Sequence, residues 1–374
     1  MKPDLYMASV SDIHLGHPKT PTLHITTNLG RAFPDRESTH ALDLILFGGD
    51  LFDRLLALNQ IDVPQILEWA GHFIQMCEKH KIHVVFMEGT PGHDWGQARI
   101  LEVLQRLGMG KQYFHYVTEL SILRIDDLDT DILLVPDEWR PEPDDTWMEA
   151  RELLRERGLE QVDFTVVHGA FEFQLPEHVK VPRHQSERYE SITRHRVFGA
   201  HIHTSSVKGK VRVNGSFDRL SHNEEEVKGH WRLRFTEGKQ TPEETFLINK
   251  DAKVYKTLDC SGMEIEQALD YIAIEVGKVL PSSHLRIKAN KTDPILVSFD
   301  TLRKRHPDIH WSSKVLEVEA VQPNLLVDLR EAYTQVQITP ENIRELLERK
   351  LSELTSDPVL LERCAARMRE IIPA

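Results

Sequence analysis

The sequence predicts an α/β protein that is built from more than one domain. Three short apolar runs, Leu5–Val10, Leu42–Phe47 and His83–Met87, have the length and composition of buried strands. They alternate with helical patterns, of which Ile61–His80 is the clearest, and such alternation is typical of layered α/β folds. The composition changes near residues 237–242, and a chain of 374 residues is long enough for two or three domains.

Composition and charge narrow the functional class. Hydrophobic residues make up 40% of the chain and charged residues 28%, as in soluble globular proteins. No apolar run approaches the roughly 20 residues that a transmembrane helix needs, and we expect no signal peptide and no membrane partner. The cysteines Cys77, Cys260 and Cys364 are too far apart for a disulfide framework, which favours a cytoplasmic location. The net charge of −13 argues against a broadly basic nucleic-acid surface, although bound cations would supply positive charge beside a phosphate.

Residues that commonly bind metal ions follow the predicted strands. In chain order these residues are Asp12 and His14, Asp50 and Asp53, His93 and Asp94, His168, and the pair His201 and His203. Side chains two residues apart in an extended chain point to the same side, so His201 and His203 form half of a metal clamp. Because layered α/β proteins bind ligands beyond the carboxyl ends of their strands, we expect the other residues to supply the second half.

This set of side chains suits a pair of divalent transition-metal ions. Mixed imidazole and carboxylate ligands favour Mn²⁺, with Fe²⁺ or Zn²⁺ as alternatives, over Mg²⁺ or Ca²⁺, which prefer oxygen ligands. Two such ions about 3.5–4 Å apart hold a phosphate ester and activate the water that attacks it. The glycines before Asp50 let the chain turn tightly, and the Asp50 carboxylate can bridge two cations.

His93 and its neighbours complete the predicted site. His93 would orient the phosphate or protonate the leaving alkoxide, and Asp94 would fix the tautomer of His93. Asp53 is explained equally well by a cap at the start of a helix and by a direct role in the site.

Further elements follow from the apolar periodicity. Residues 15–42 are predicted to be irregular because glycines and prolines interrupt them. Helices are predicted at Ile100–Leu107 and Asp145–Arg157, and strands at Ser121–Ile125, Ile132–Val135, Phe164–Val167, Val211–Asn214 and Lys228–Phe235. An acidic turn separates the first two of these strands, which we expect to pair.

A small α+β module is predicted at residues 239–320, after the main domain at residues 1–238. Its elements are helices at Glu264–Val279 and Asp293–Arg305 and strands at His284–Lys288 and Val315–Val318. Arg286 and Lys288 lie on one face of their strand and are candidate DNA contacts. A linker at residues 321–338 leads to two amphipathic helices at residues 339–374, which either fold back on the chain or dock a partner.

The order of the strand-end motifs resembles that of the calcineurin-like metallophosphoesterases. That family carries Asp-x-His, Gly-Asp-x-x-Asp, Gly-Asn-His-Asp, a lone His and Gly-His-x-His. The matching residues here are Asp12 and His14, Gly49 to Asp53, Gly92 to Asp94, His168, and Ala200 to His203. The segment Gly215–Leu220, with the acidic run and the Lys228-Gly229 pair that follow it, resembles the Gly-Ser-x-x-Arg segment of the Mre11/SbcD branch of DNA-repair nucleases.

The resemblance, which spans roughly residues 5–235, implies an architecture and a set of roles. It implies a β-sandwich flanked by helices, a small capping domain on the DNA, and C-terminal helices that bind the coiled coil of a Rad50/SbcC-like ATPase, often in a homodimer. It assigns metal one to Asp12, His14, Asp50 and His203, and metal two to Asp50, His168 and His201. His93 becomes the acid or phosphate-orienting residue. Arg219 matches the Arg of the branch segment and becomes a candidate DNA contact.

Two residues depart from the family pattern. Gly92 stands where the family has an Asn that binds metal two, so Thr90 or water would take over this role, or that ion would bind weakly. Ala200 replaces a Gly, which is a milder change.

The function that the resemblance implies is that of a metal-dependent DNA nuclease. Such a protein is a 3′-to-5′ exonuclease and single-strand endonuclease subunit of an Mre11-Rad50/SbcCD-like complex for double-strand break repair and recombination. The first alternative is a metallophosphoesterase that acts on a small phosphodiester or a phosphoprotein. The second alternative, motivated by Gly92, is a non-catalytic adaptor with a degraded metal site.

Overall fold

The computed structural model describes residues 1–2, 4–109, 112–137, 139–176, 178–239 and 241–316. This part of the chain contains three β-sheets and the helices that pack on them. The strands are β1 (Leu5–Val10), β2 (Leu44–Phe47), β3 (His83–Met87), β4 (Phe114–Val117), β5 (Ser121–Ile125), β6 (Thr130–Val135), β7 (Val162–His168), β8 (Thr193–Ala200), β9 (Ser206–Lys208), β10 (Val211–Val213), β11 (Gly229–Phe235), β12 (Glu243–Ile248), β13 (Tyr255–Asp259), β14 (His284–Asn290) and β15 (His310–Leu316). The helices are α1 (Thr22–Ala32), α2 (Glu37–His40), α3 (Asp62–His80), α4 (Pro91–Asp94), α5 (Arg99–Leu104), α6 (Pro143–Glu156), α7 (Ser186–Ser191), α8 (Ile265–Val276) and α9 (Phe299–Arg305).

The first sheet has the strand order β12-β11-β1-β2-β3-β4. Strands β1 to β4 are parallel, and β11 and β12 join the edge next to β1 in antiparallel fashion. The carboxyl ends of β1, β2 and β3 therefore lie side by side. The loops that leave these three strands carry the first three predicted site motifs, namely Asp12 and His14, Asp50 and Asp53, and His93 and Asp94.

The second sheet has the strand order β5-β6-β7-β8-β10-β9. Strands β6, β7, β8 and β10 are parallel, whereas β5 and β9 pair in antiparallel fashion at the edges. His168 is the last residue of β7, and His201 directly follows β8. The carboxyl ends of these two neighbouring strands carry the remaining predicted ligands.

The two large sheets pack face to face. Their shared core contains Met7, Leu44, Leu46 and Val85 from the first sheet and Ile132, Leu134, Phe164, Val166 and Phe198 from the second. Alternate residues of each strand point away from this core, as the two-residue period of a strand requires. The outer face of the first sheet packs on α1 and α3, and that of the second sheet packs on α6 and α7. The predicted α/β architecture, with two sheets flanked by helices, is confirmed.

A third, smaller sheet lies C-terminal to the two large sheets. It has the order β13-β14-β15, all parallel, and α8 and α9 supply its apolar cover through Ala268, Ile272 and Leu302. The strand β12 pairs with β11 of the first sheet, so the predicted boundary at residue 238 falls between two paired strands. The change from the first sheet to the third comes later, between Ile248 and Tyr255.

The prediction that residues 15–42 are irregular was wrong. This segment contains α1 and the short α2. Threonines and Gly30 lower the helix propensity of α1, but Ile25 and Leu29, one turn apart, are fully buried against the first sheet. Tertiary packing therefore stabilises a helix that local propensity does not indicate.

Several other elements differ from the predictions. The edge strands β4 and β12, the strand β13 and the helix α7 were not predicted. The predicted helix Asp293–Arg305 is a short 3₁₀ turn at Pro294–Leu296 followed by α9. The predicted linker, the C-terminal helices and residues 317–320 lie outside the described residues. In the described part of the chain, no helix combines the length and the apolar character that crossing a membrane requires.

Candidate metal centre

The loops after β1 and β2 hold their acidic and imidazole side chains through an unusual backbone. Asp12, His14, Asp50 and His201 all have positive φ angles, of 52°, 55°, 50° and 79°. This left-handed region is uncommon for residues other than glycine, and such residues cluster at functional sites. The two loops also bond to each other, because the amides of Asp12 and Ile13 donate to the carbonyls of Gly49 and Asp50 at 3.0 and 2.8 Å.

Close approach of the two sheets depends on Gly49. A Cβ atom at this position would lie 2.3 Å from Nδ1 of His168, which no side chain could tolerate. Gly49 also has a φ of 102°, which favours glycine. The glycine therefore allows Asp50, at the end of the first sheet, to meet His168, at the end of the second.

The first group of potential ligands contains Asp12, His14 and His203. The Nε2 atoms of His14 and His203 are 3.1 Å apart, and Oδ1 of Asp12 lies 3.9 Å from Nε2 of His203. Oδ2 of Asp50 lies 3.7 Å from Nε2 of His14. Ligand atoms that are each about 2.0–2.2 Å from one ion lie at comparable separations from one another. These four residues are those that the resemblance assigned to metal one.

The second group contains Asp50, His168 and His201. Nε2 of His168 is 3.3 Å from Oδ1 of Asp50. Nδ1 of His168 donates to the carbonyl of Gly48 at 2.8 Å, which fixes the ring with its Nε2 facing Asp50. Burial disfavours the charged form of His168, but the Asp50 carboxylate outweighs it and raises the pKa of this imidazole. These are the residues assigned to metal two.

Asp50 connects the two groups, because it belongs to the second and also lies close to His14 of the first and to His93. Its Oδ1 faces His168 and its Oδ2 faces His14, and its side chain is only 2% exposed. Burial opposes ionisation of Asp50, but the surrounding imidazoles hold the pKa of this carboxyl far below its ordinary value. A buried, ionised carboxylate between two sets of imidazoles can bridge two cations. The donor set therefore fits two metal ions.

Thr90 lies inside the second group. Its hydroxyl oxygen is 3.3 Å from Nε2 of His168, 3.3 Å from Nδ1 of His201 and 3.2 Å from Oδ2 of Asp50. The predicted substitute for the missing Asn is thus within reach of all three potential ligands of metal two. A Cβ atom added at Gly92 would have no neighbour within 4 Å among the described residues, so that position has room for a larger side chain.

His93 lies at the mouth of the first group. Its Nδ1 is 3.3 Å from Nδ1 of His14 and 3.4 Å from Oδ2 of Asp50, while 39% of its side chain is exposed. The hydrogen bond to Asp50 raises the pKa of His93. The imidazole is therefore positioned to contact both the potential ligands and a substrate arriving from solvent.

Asp94 has a different role from the one predicted. Its carboxylate is 1% exposed and accepts hydrogen bonds from the backbone amides of Asp50 at 3.1 Å, Phe52 at 2.8 Å and Gly89 at 2.7 Å. Burial raises the pKa of Asp94 to about 7, against the effect of the bonds from Phe52 and Gly89. Asp94 thus links the loop after β2 to the loop after β3 through these hydrogen bonds. Its oxygens do not orient His93, whose ring bonds to Asp50 and His14.

Asp53 contacts a potential ligand directly. Its Oδ1 is 3.2 Å from Nδ1 of His14, whereas the nearest long helix, α3, begins only at Asp62. The interpretation of Asp53 as a helix cap is therefore wrong. The contact fixes the orientation of His14, because the second nitrogen of a metal-binding imidazole commonly donates to a carboxylate.

A buried group that the sequence did not single out supports His203. Oε1 of Glu224 is 3.0 Å from Nδ1 of His203, and Oε2 accepts from the Ser216 hydroxyl at 2.8 Å. The ammonium of Lys228, 1% exposed, lies 3.2 Å from Glu224 and donates to the carbonyl of His203 at 2.9 Å. Burial opposes ionisation of Glu224, but His203 lowers its pKa to about 2. The branch-like segment, with its acidic run before Lys228-Gly229, was the signal that could have identified Glu224.

The predicted DNA contacts are bonded within the chain. Arg219 donates to the backbone carbonyls of Glu226 at 3.0 Å and Lys253 at 3.2 Å. Arg286 donates to Thr257 and to the carbonyl of His222, and Lys288 bonds to Asp259 at 2.7 Å. Arg219 and Arg286 thus connect the segment after β10 to the third sheet. These residues do not join the metal groups.

A third cluster of Asp35, His40 and His80 lies at the surface, away from the strand ends. The imidazole rings of His40 and His80 are stacked, with centroids 3.6 Å apart and planes 7° apart. The nitrogen lone pairs of two stacked rings lie in two nearly parallel planes about one ring thickness apart, so they do not converge on one ion. Only the strand-end groups, among the residues that the structure describes, have converging donors.

Comparisons with known proteins show similarity in structure alone. No family model matches the chain, and no curated protein matches it. The chain is similar to TT1561 of Thermus thermophilus, with 11% identity and a TM-score of 0.36 over 65% of this chain and 98% of that one. It is also similar to GAP50, the anchor in the inner membrane complex of Plasmodium, with 12% identity and a TM-score of 0.40 over 76% and 97%. Identities and TM-scores this low support no inference about function. The functional proposal rests instead on the side chains at the strand ends.

Proposed function

We propose that the protein is a two-metal phosphodiesterase that acts on DNA. The observation that carries this proposal is the position of Asp50, buried between two groups of imidazole and carboxylate ligands, with His93 at their mouth. Asp50 thus lies among four imidazoles, an arrangement that suits a carboxylate bridging two cations. The order of the motifs along the chain adds the expectation of a nuclease.

The roles of the residues follow from their positions. Asp12, His14, Asp50 and His203 would hold one ion, and Asp50, His168 and His201 the other, with the Thr90 hydroxyl beside the second. Bound divalent ions would offset the charge of the phosphodiester and activate the attacking water. His93 reaches the same space from its exposed side, where it would orient the phosphate or protonate the leaving alkoxide. Asp53, Glu224 and the carbonyl of Gly48 hold three of the imidazoles in place.

Mn²⁺ is the metal that we propose, with Fe²⁺ or Zn²⁺ as alternatives, because both groups mix imidazole and carboxylate donors. The small third sheet would cap the DNA. Residues 339–374 would dock a Rad50/SbcC-like ATPase in a repair complex. Deletion of residues 338–374 is expected to abolish co-purification with that ATPase, and unchanged co-purification would count against the docking proposal.

Cleavage of linear duplex and single-stranded DNA with Mn²⁺ tests the proposed function. The native chain is expected to cut DNA, and His93→Ala to cut at least about a hundredfold more slowly, as for the loss of a general acid. Calorimetry should show that His93→Ala still binds Mn²⁺, whereas Asp50→Asn should lose both binding and cleavage. If the native chain, alone and with its ATPase partner, hydrolyses no DNA, the nuclease proposal is wrong. Hydrolysis of small phosphodiesters alone would then favour the small-substrate alternative.

A further inference from the structure

A cavity of about 600 Å³ opens beside His201. Its walls come from the segment that follows β6, the segment that follows β7, and Ile202. Cavities of roughly 300–1,000 Å³ are typical of sites for small molecules or their parts. Apart from His201, the cavity contains no residue of the two metal groups, so the metal centre does not account for it.

Two buried polar groups in the cavity wall have no hydrogen-bond partner within the described ranges. They are Oδ2 of Asp137, whose side chain is 8% exposed, and the indole Nε1 of Trp139. Buried polar groups are almost always bonded in folded proteins, so each exception needs an explanation. A carboxylate oxygen accepts hydrogen bonds and an indole N–H donates them. A ligand that completes both bonds must therefore present a donor and an acceptor.

The rest of the cavity wall is mainly apolar, with Arg140, Thr146 and His184 as its other polar residues. Pro141, Pro143, Val181 and Pro182 line it, and the Arg140 guanidinium lies 5.2 Å from the centre of the Trp139 ring. A planar ring with polar atoms along one edge fits such a site. Each of the four DNA bases has an adjacent donor and acceptor on its pairing edge, and enzymes read unstacked bases through that edge and by apolar packing.

The cavity adjoins the second metal group directly. Oδ2 of Asp137 is 3.7 Å from Nδ1 of His201, and that nitrogen is 3.3 Å from the Thr90 hydroxyl. A nucleotide whose phosphate lies at the metal groups would bring a neighbouring base to this cavity. We propose that the cavity, here named the Asp137 pocket, binds the base of the nucleotide next to the scissile phosphate. This inference rests on the proposed phosphodiesterase function.

The test compares an ester that carries a base with one that does not. Thymidine 5′-(p-nitrophenyl phosphate) and methyl p-nitrophenyl phosphate release the same product, so kcat/KM for both is measured with Mn²⁺. In Trp139→Ala, the ratio of kcat/KM for the first ester to that for the second is expected to fall about tenfold, through KM, because the variant loses both the N–H donor and the apolar contact of the indole with the base. Trp139→Phe, which keeps the aromatic ring and removes the N–H, should lie between Trp139→Ala and the native chain.

Trp147→Phe is the matched control. Trp147 lies on α6, packs edge-on against Tyr189 at 5.4 Å between ring centres, and does not line the pocket. For Trp147→Phe, the ratio of kcat/KM for the two esters should equal that of the native chain. Melting temperatures identify any variant that fails to fold. A second substrate, a single-stranded oligonucleotide with one abasic position, should resist cleavage next to that position in the native chain.

The outcomes separate the pocket from the proposed function. If folded Trp139→Ala and Trp139→Phe keep the native ratio of kcat/KM for the two esters and still cut DNA, base binding by the Asp137 pocket is wrong. The proposed phosphodiesterase function would then still stand. Equal loss of both esters in Asp137→Asn would assign Asp137 to the metal centre and overturn its role in base binding. If the native chain hydrolyses neither ester nor DNA, the proposed function fails and the inference fails with it.

Discussion

At the scale of single residues, the imidazole ligands are held by partners on their second nitrogen. Glu224 contacts His203, Asp53 contacts His14, and the carbonyl of Gly48 accepts from His168. These contacts set the tautomer of each ring and leave the other nitrogen for a metal ion. In the proposed centre, the affinity for metal would therefore depend on residues that need not touch the ion.

Glu224→Gln tests this dependence. The amide cannot accept a charge-assisted hydrogen bond and leaves Lys228 partly uncompensated, so Mn²⁺ affinity is expected to fall by roughly 10–100-fold. Calorimetric titration measures the change. Glu225→Gln, which alters the exposed neighbour, is the control and should bind Mn²⁺ as the native chain does. Equal affinity in the two variants would show that Glu224 does not support the centre.

Thr90 and Gly92 allow a test of the second ion. Thr90→Val keeps the shape of the side chain and removes the hydroxyl, so we expect one of two Mn²⁺ ions to bind about tenfold more weakly. Gly92→Asn, for which the structure has room, should restore binding in the Thr90→Val background. Titration stoichiometry distinguishes the two ions. If Thr90→Val binds two ions with native affinity, the hydroxyl does not replace the missing Asn.

The sequence predicted which side chains come together because each lies at, or shortly after, the end of an apolar strand. Parallel strands bring their carboxyl ends together, so position along the chain determined position in space for Asp12, Asp50 and His168. Glu224 could not be identified in the same way. Its contact with His203 spans 21 residues that include β9 and β10, and it depends on how the segment after β10 folds back.

At the scale of elements, Asp94 joins the loops after β2 and β3. The fold predicts that Asp94→Ala leaves three buried amides without an acceptor, at about 1–3 kcal/mol each. We expect the free energy of unfolding in urea to fall by about 3 kcal/mol or more. Asp144→Ala removes an exposed ion pair with Arg188 and should change it by less than about 1 kcal/mol. Native stability with lost cleavage would instead favour the catalytic role first predicted for Asp94.

The elements that could be predicted share a clear apolar pattern. β1 and β3 were predicted with correct ends because each is a short, mostly buried run that is followed directly by a polar residue, Ser11 or Glu88. β12 was not, because it is an edge strand with several exposed residues and two glutamates at its start. α1 was missed because its stability comes from packing rather than from propensity.

At the scale of the whole molecule, one buried histidine, His230, and two half-buried ones, His115 and His195, are neutral in the fold. Burial lowers the pKa of His230 to about 3 and those of His115 and His195 to about 4. The unfolded chain binds protons at these positions near pH 6.5, about the ordinary pKa of histidine, whereas the folded chain does not. Above about pH 6.5 these groups therefore do not reduce the free energy of unfolding. As the pH falls from there towards about 4, proton uptake by the unfolded chain lowers that free energy.

His230→Asn tests this decline. Each such histidine contributes a slope of about 1.4 kcal/mol per pH unit between its two pKa values, so this variant should lose stability less steeply between about pH 6 and pH 4. Urea unfolding at several pH values measures the slope. An identical slope in the variant would show that His230 does not contribute to acid unfolding.

The homodimer is still a prediction, and the surface offers a place to test it. Leu55, Leu58 and Ile61, before α3, are 59%, 82% and 72% exposed. If they form a dimer contact, Leu58→Glu should shift the chain to a monomer in light scattering. Leu280→Glu, at an equally exposed leucine that follows α8, is the control and should leave the mass unchanged. A native chain that is already monomeric would contradict the dimer.

The left-handed backbone at Asp12, His14, Asp50 and His201 affects how the site should be mutated. Alanine is disfavoured in that conformation, whereas asparagine tolerates it. An alanine scan of these positions would therefore mix two losses, that of a donor atom and that of a backbone shape. Asparagine replacements keep the backbone and change only the donor. The most informative mutational series for this centre is an asparagine scan.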